Sequence, residues 1–320
     1  MKAAIVQEAG KLPVYADFAE PVIAAGENRI AVTAAALSQL VRARASGKHY
    51  SSSGRYPFVV GVDGVGRLDD GSRVYFLLPK TPNGAFAQRT LVPAAQCLLL
   101  PDGLDDVTAA ALANPGMSSW AAFTERARLK PGETVLVNGA TGASGRLAVQ
   151  IAKYLGARKV IATGRNRAAL DEVAGLGADV IVPLVEDAEA LEASFKQQFT
   201  EGVDVVIDYL WGPSAERLLI AGAKAGAEAT AIRFVQIGAM SGADITLPGA
   251  VLRSSAIELM GSGIGSVSLD GLIKAIGGVL GAAVSGGFKI AVNPVPLSEV
   301  EQQWAVTDSA RRTVFTVNAQ

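Results

Sequence analysis

Residues 134–166 read TVLVNGATGASGRLAVQIAKYLGARKVIATGRN. They open with a short β-branched run, 134–137, of the kind that is buried on both faces of a parallel sheet. Gly139, Gly142 and Gly145 follow at three-residue spacing. Ala148, Ile151, Ala152 and Leu155 then recur at helical spacing. Gly156 can end that helix, and 159–163 form a second apolar strand. Strand, glycine loop, helix and strand in this order predict the first βαβ unit of a dinucleotide-binding, doubly wound α/β fold.

The physics behind that prediction is local. A pyrophosphate is anionic and must lie close to backbone. The free N–H groups and the dipole at a helix N-terminus both favour an anion there. Side chains on the loop would block the approach, so glycine is needed. The spacing is GxxGxxG, not the GxGxxG of many dinucleotide sites. The expected pyrophosphate surroundings are Asn138, Gly139, Thr141, Gly142, Ala143, Ser144 and Gly145.

The end of the second strand selects the cofactor. An NAD site usually places Asp or Glu about 20 residues into the unit, on the ribose 2′-hydroxyl. Here Gly164, Arg165 and Asn166 stand at that point, followed by Arg167. No carboxylate repels a 2′-phosphate, and a guanidinium can clamp one in bidentate fashion. The prediction is NADPH. The alternative is an idle, solvated basic turn.

Bulk properties narrow the class. A chain of 320 residues suits two domains of ordinary size, and 50% hydrophobic residues give ample core. A net charge of −1 gives no basic field for nucleic acid and no polybasic patch for a membrane. The single cysteine, Cys97, excludes an internal disulfide and a Cys-rich metal site. The opening MKAAIVQEAG reaches Gln7 and Glu8 after too few apolar residues for a signal peptide. The apolar stretch 275–288 is too short and glycine-rich to span a bilayer. The expectation is a soluble, cytoplasmic protein acting on a small molecule.

Residues 1–115 carry short strand-like runs at 2–7, 29–34, 59–62, 73–78 and 85–92, punctuated by turn residues. No helix-length periodic run precedes about residue 105, which predicts a β-dominated unit. A helix is expected over 105–113, an interruption at Asn114, Pro115 and Gly116, and a further helix from 117. From 134 onward strands and helices alternate. Strands are expected at 135–138, 160–163, 180–182, 203–208, 234–237 and 257–261, the full doubly wound count. After Gly265 the pattern changes to a helix over 269–284, an extended 290–296, a helix from Ser298 with a Ser298–Glu301 capping box, and a last strand at 313–317. The expected domains are 1–115, 116–264 and 265–320.

The whole chain resembles the medium-chain dehydrogenase/reductase superfamily, and within it the zinc-free quinone oxidoreductases and related enone reductases. The matching stretches are YPFVVGVDGVGRL (56–68), GSRVYF (71–76), NGAFAQRTLVPAAQCLLLPDGL (83–104), NPGMSSWAAF (114–123), the opening stretch, and ARRTVFTV (310–317). The resemblance implies a GroES-like first domain, a Rossmann NADP-binding second domain and a C-terminal return to the first. It implies a substrate cleft between the glycine-loop unit and residues 38–63.

The departures concern metal. Zinc-dependent relatives have a cysteine near the stretch ALSQL, where this chain has Ser38, and His-Glu where it has Val62 and Asp63 after Gly61. Their structural zinc lobe needs four cysteines. A catalytic zinc needs three protein ligands, and His49, Asp63 and Cys97 lack ligand spacing. No metal is expected. Without a Lewis acid a carbonyl is polarised only by hydrogen bonds, which favours quinones and α,β-unsaturated carbonyl compounds over saturated alcohols.

The resemblance also points to individual side chains. Tyr50 matches a cleft tyrosine, whose phenol would bond the substrate oxygen; a packed loop tyrosine is the alternative. Ser38 offers a cleft hydroxyl or a turn-forming one, and His49, the only histidine, offers proton delivery or plain solvation. Ser118 corresponds to a hydroxyl near the nicotinamide. Leu210 ends the fourth strand, Ile237 and Gly238 the fifth, and Gly261 and Gly263 the sixth, where ligands of such sheets bind. In the family the sixth strand pairs across a two-fold axis, which implies a homodimer. Three functions are consistent: an NADPH-dependent reductase of quinones or activated double bonds, a trans-acting enoyl-thioester reductase, and a low-turnover NADPH-binding sensor or structural protein.

Overall fold

Residues 1–47, 54–306 and 311–317 are described by the structure, a computed structural model. The chain divides into two units. One comprises Met1–Asn114, Leu280–Ser285 and Ile290–Gln320, and the other Pro115–Val279 and Gly286–Lys289.

The first unit begins with β1 (Lys2–Val6), β2 (Val14–Asp17), β3 (Glu27–Ala36), α1 (Gln39–Ala45), β4 (Phe58–Val59), β5 (Asp63–Arg67), β6 (Arg73–Leu77), β7 (Arg89–Pro93) and β8 (Cys97–Leu99). The helix α1 is absent from the expectations above. Its seven residues are too few to display a period, and it is held at its start by Ser38, whose Oγ accepts from Val41 N at 3.1 Å. The expected strand at 59–62 is also displaced. β4 stops at Val59, and the longer pairing falls on β5, whose Gly64 and Gly66 conceal the alternation. The stretch expected as one strand at 85–92 changes partner midway: Phe86 and Gln88 bond to β1, whereas Arg89–Pro93 pairs with β3.

The second unit is a six-stranded parallel sheet of β9 (Thr134–Asn138), β10 (Lys159–Gly164), β11 (Val180–Pro183), β12 (Val205–Asp208), β13 (Ile232–Gln236) and β14 (Ile257–Gly261). Its order is β11-β10-β9-β12-β13-β14. Counted along the sheet this is 3-2-1-4-5-6, the doubly wound arrangement. Between the strands lie α3 (Ala143–Tyr154), α4 (Arg167–Ala174), α5 (Ala188–Glu201), α6 (Gly212–Ala225) and α7 (Gly249–Arg253); α2 (Asp106–Ala121) precedes the sheet and α8 (Leu269–Ser285) follows it, and the division between the units falls within each of these two helices. Leu136, Ile161, Val206 and Phe234 of the sheet pack with Phe195 of α5 and Leu218 of α6, all essentially inaccessible to solvent.

The expected break at Asn114, Pro115 and Gly116 does not occur: α2 runs through Pro115. Burial of Ala109–Ala113 and a close approach at Gly116, where a Cβ would lie 2.7 Å from Val279 Cγ1, outweigh the hydrogen bond that proline removes. The helix then widens into a π turn over Ala122–Arg126, with Ala127 N donating to Ala122 O at 2.7 Å.

The chain closes with β15 (Val292–Pro296), α9 (Val300–Gln303) and β16 (Arg312–Thr316) in the first unit. Its larger sheet runs β15-β16-β3-β5-β6-β8, with β7 also on β3, and a smaller one runs β2-β1-β4. Phe86 and Phe315 meet edge to face at 5.0 Å in the core. The Ser298–Glu301 capping box does not form. Glu301 accepts instead from Tyr15 N at 3.0 Å, a tertiary contact that sequence spacing does not encode. Among the described residues no helix is long and apolar enough to cross a membrane.

Candidate cofactor-binding site

The strand order of the second unit reverses between β9 and β12, and the carboxyl ends of these strands with β10 form the natural crevice of such a sheet. The glycine loop leaves β9 there. Gly139 has φ +87°, and a Cβ on it would lie 2.8 Å from Leu210 Cγ. Gly145 lies in the first turn of α3, and a Cβ on it would overlap Gly139 O and lie 2.6 Å from Ala140 Cα. Any side chain at 145 would therefore lift the loop off the helix. Gly142 is the N-cap of α3, in extended backbone, and no side chain caps it. Nothing lies within 4 Å of the position a Cβ would take there. The first-turn N–H groups at Ala143, Ser144 and Gly145 thus stand at an uncapped helix start free of acidic residues, a cradle that fits an anionic pyrophosphate.

Arg146, which the sequence did not single out, fixes this loop from the outside. Its Nε donates to Thr141 O at 2.9 Å and its Nη2 pairs with Glu172 of α4 at 2.7 Å. At the end of β10, Gly164 is buried and Arg165 is exposed. Asn166 caps α4, its Oδ1 accepting from Ala169 N at 3.1 Å. Arg167, also exposed, pairs with Asp171 at 3.1 Å, so two guanidinium groups stand at this strand end.

Beneath the loop lies a buried polar network. Asn138, expected among the groups around a pyrophosphate, is completely buried. Its Nδ2 donates to Asp208 Oδ1 at 2.8 Å and to Ser214 Oγ at 3.0 Å, and its Oδ1 accepts from Thr163 Oγ1 at 2.7 Å. Thr163 in turn accepts from Gly139 N on its Oγ1 at 3.1 Å and from Ala140 N on its carbonyl at 2.8 Å. Asn138 therefore supports the loop from below. Sequence reasoning missed Asp208, Thr163 and Ser214; an Asp at a strand end that opens a turn was the available signal.

The remaining strand ends are arranged as follows. Leu210 packs on Gly139. Ile237 lies one residue past β13, and Ile237 N and Gly238 N both donate to Asp208 O, at 2.8 and 3.2 Å. Gly261 accepts from Arg126 Nε at 2.8 Å, and Gly263 N donates to Ser266 Oγ at 2.8 Å; both glycines are exposed. Ser118 Oγ donates to Pro115 O at 2.7 Å and lies 3.4 Å from the hydroxyl of Tyr209. Burial pushes the Tyr209 phenol up to about 12, so it stays protonated at neutral pH.

In the first unit Ser38 is buried as the cap of α1, its Oγ accepting from Val41 N at 3.1 Å. Tyr50 and His49 lie outside the described residues. Two of the three groups weighed as zinc ligands, Asp63 and Cys97, are engaged by other side chains. Asp63 accepts from Tyr75 Oη at 2.7 Å and Asn114 Nδ2 at 3.5 Å, and the Cys97 thiol accepts from Asn28 Nδ2 at 3.5 Å. Among the described residues no group of three or more His, Cys, Asp or Glu side chains is placed to bind a metal ion.

Known proteins share this architecture. A family model described as "Zinc-binding dehydrogenase" matches residues 143–276. A probable NADPH-dependent quinone reductase of Emericella nidulans is 28% identical, over 99% of this chain and 100% of its own. A mycocerosic acid synthase-like polyketide synthase of Mycobacterium tuberculosis is 30% identical over 67% of this chain, which spans only 10% of that protein. The quinone oxidoreductase of Thermus thermophilus, solved also in complex with NADPH, superposes with a TM-score of 0.80 at 27% identity, over 99% of this chain and 100% of its own. These similarities and the 3-2-1-4-5-6 sheet agree, and the chain belongs to the medium-chain dehydrogenase/reductase superfamily, on its quinone oxidoreductase branch.

Proposed function

We propose that the chain is an NADPH-dependent oxidoreductase that works without a catalytic zinc and reduces quinones or α,β-unsaturated carbonyl compounds. The observation that carries this is the uncapped glycine loop at the switch point of the sheet, with exposed Arg165 and no carboxylate at the end of β10. When bound, NADPH supplies the hydride. The chain's own residues bind and orient it. The N–H groups of 143–145 take the pyrophosphate, and Arg165 takes the 2′-phosphate beside the start of α4. Ser118 and Leu210, with the strand ends at Ile237, Gly238, Gly261 and Gly263, line the course of the dinucleotide.

The acceptor class rests on chemistry. In this zinc-free reading the substrate oxygen is stabilised by hydrogen bonds alone, which suffices where charge is delocalised, as in a quinone or an enone. Tyr50 and Ser38 are the proposed donors. The names of the Emericella and Thermus relatives support a quinone. The test is NADPH consumption with a simple quinone, an enone and a saturated aldehyde, with NADH as control and a chelator added. Turnover of the first two alone, indifferent to chelator, is expected. Inhibition by the chelator would remove the zinc-free reading, and no turnover at all would favour the sensor.

The similarity to a polyketide synthase favours a second reading, reduction of a carrier-bound enoyl thioester. An enoyl-pantetheine thioester consumed faster than any quinone would establish it. We also propose a homodimer through β14, the unpaired edge of its sheet, where Leu259 is 39% exposed. Light scattering that finds a monomer would count against it.

A further inference from the structure

Asp208 ends β12 beside the glycine loop and is completely buried. Its carboxylate takes only donors. Oδ1 accepts from Asn138 Nδ2 at 2.8 Å and Leu210 N at 3.0 Å, and Trp211 N reaches Oδ1 and Oδ2 at 3.2 and 3.1 Å. Trp211 has φ 57° and ψ −157°, a backbone region that glycine enters readily and a side chain only at a cost. The turn it makes presses Leu210 onto Gly139, leaving 2.8 Å between Leu210 Cγ and the place of a Cβ. One carboxylate therefore grips both Asn138, which supports the loop, and the strained turn that covers it.

We propose that Asp208 is a positioning residue for the dinucleotide: it holds the turn at Leu210 and Trp211 so that Leu210 closes on Gly139 and the loop 139–145 is preformed for a pyrophosphate. The inference rests on the NADPH reading above. A loop already held in its bound form saves the ordering cost that binding would otherwise carry. An amide in place of the carboxylate can keep its oxygen toward Asn138 Nδ2 and Leu210 N but turns its NH2 donor toward Trp211 N, the group that holds the strained residue. The side chain of Asp208 itself contacts no ligand in this scheme; it acts through the turn.

The test is a fluorescence titration with NADPH of the wild type, Asp208→Asn, Trp211→Gly and the double variant. Asp208→Asn should raise Kd tenfold or more. In the Trp211→Gly background the same change should raise it less than threefold, because glycine adopts the turn unaided. An equal factor in both backgrounds, or an unchanged Kd in Asp208→Asn, overturns the proposal. Adenosine 2′-phosphate, which lacks the pyrophosphate, should bind all four proteins alike. Parallel loss of both ligands would mark Asp208 as a general support of the fold and overturn its positioning role. Should Asp208→Asn fail to fold, Leu210→Ala carries the test: weaker NADPH binding at an unchanged Tm supports the proposal, and undiminished binding overturns it. A wild type that binds no NADPH removes the cofactor reading and the proposal together, whereas a wild type that binds beside an indifferent Asp208→Asn removes only the proposal.

Discussion

Asp63 opens β5 in the first unit and Asp208 closes β12 in the second, and they are 2% and 0% exposed. Both carboxyls are pushed up by burial, and both are surrounded by donors. Their partners differ. Asp63 is held by side chains, the Tyr75 phenol and the Asn114 amide, and faces the Arg312 guanidinium. Arg312 Nε and Nη2 are buried without a hydrogen-bond partner among the described residues, so the charge of Asp63 is their principal compensation. Asp208 is held mainly by the backbone N–H groups of a turn. Where the chain stays in regular pairing, as β5 does between β3 and β6, a buried carboxylate completes the packing. Where the chain must leave the sheet, it shapes the exit and leaves the neighbouring loop open.

That contrast is breakable. The largest effect is expected from Asp63→Ala, which leaves a phenol and an amide in the interior without their acceptor and a guanidinium without its counter-charge. A loss of about 3–5 kcal/mol in urea unfolding is expected, with NADPH affinity intact in the protein that remains folded. A loss under about 1 kcal/mol would mean that Asp63 is not the compensating charge. Next, Gly145→Ala forces a methyl onto Gly139 O; it should cost about 1–3 kcal/mol of stability and abolish NADPH binding. Retained binding would show that the loop is not the pyrophosphate site.

Arg165→Ala should weaken NADPH by about 1–3 kcal/mol and barely touch NADH, measured by titration of both. Equal losses would return Arg165 to the status of an idle surface charge. The smallest effect is on pH dependence. A raised aspartate holds its proton to higher pH in the native state than in the unfolded chain. The associated stability is present below the ordinary aspartate value of about 3.9 and is lost as pH rises through the native one. Asp208→Asn cannot titrate at this position, so its urea midpoint should gain on the wild type as pH rises through that window; a constant difference would mean that burial there does not perturb the carboxyl.

Much of this was legible in residues 134–166, because a βαβ unit carries its own period, its glycines and its strand ends within a single short stretch of chain. The six parallel strands followed from the same alternation. The first unit was less legible. Its strands are short and pair far along the chain, so the split of 85–92 between two partners and the displacement from 59–62 to β5 left no local trace. Pro115 was misleading for a related reason: a local breaking signal was overruled by burial of the helix around it. At the proposed site the loop glycines and Arg165 stand out in the sequence, whereas the supports do not, because Asp208, Thr163 and Ser214 are brought to Asn138 from 25 to 76 positions away.

By itself the sequence determined the doubly wound unit, the place of the glycine loop and the cationic character of the second strand's end, since each depends on neighbours in the chain. Only the tertiary structure decided that Asn138 lies under the loop, that Leu210 closes on Gly139, and that Asp63 and Asp208 do different work. A carboxylate's role is set by which donors reach it and how much water is excluded, and both are fixed only when distant strands come together.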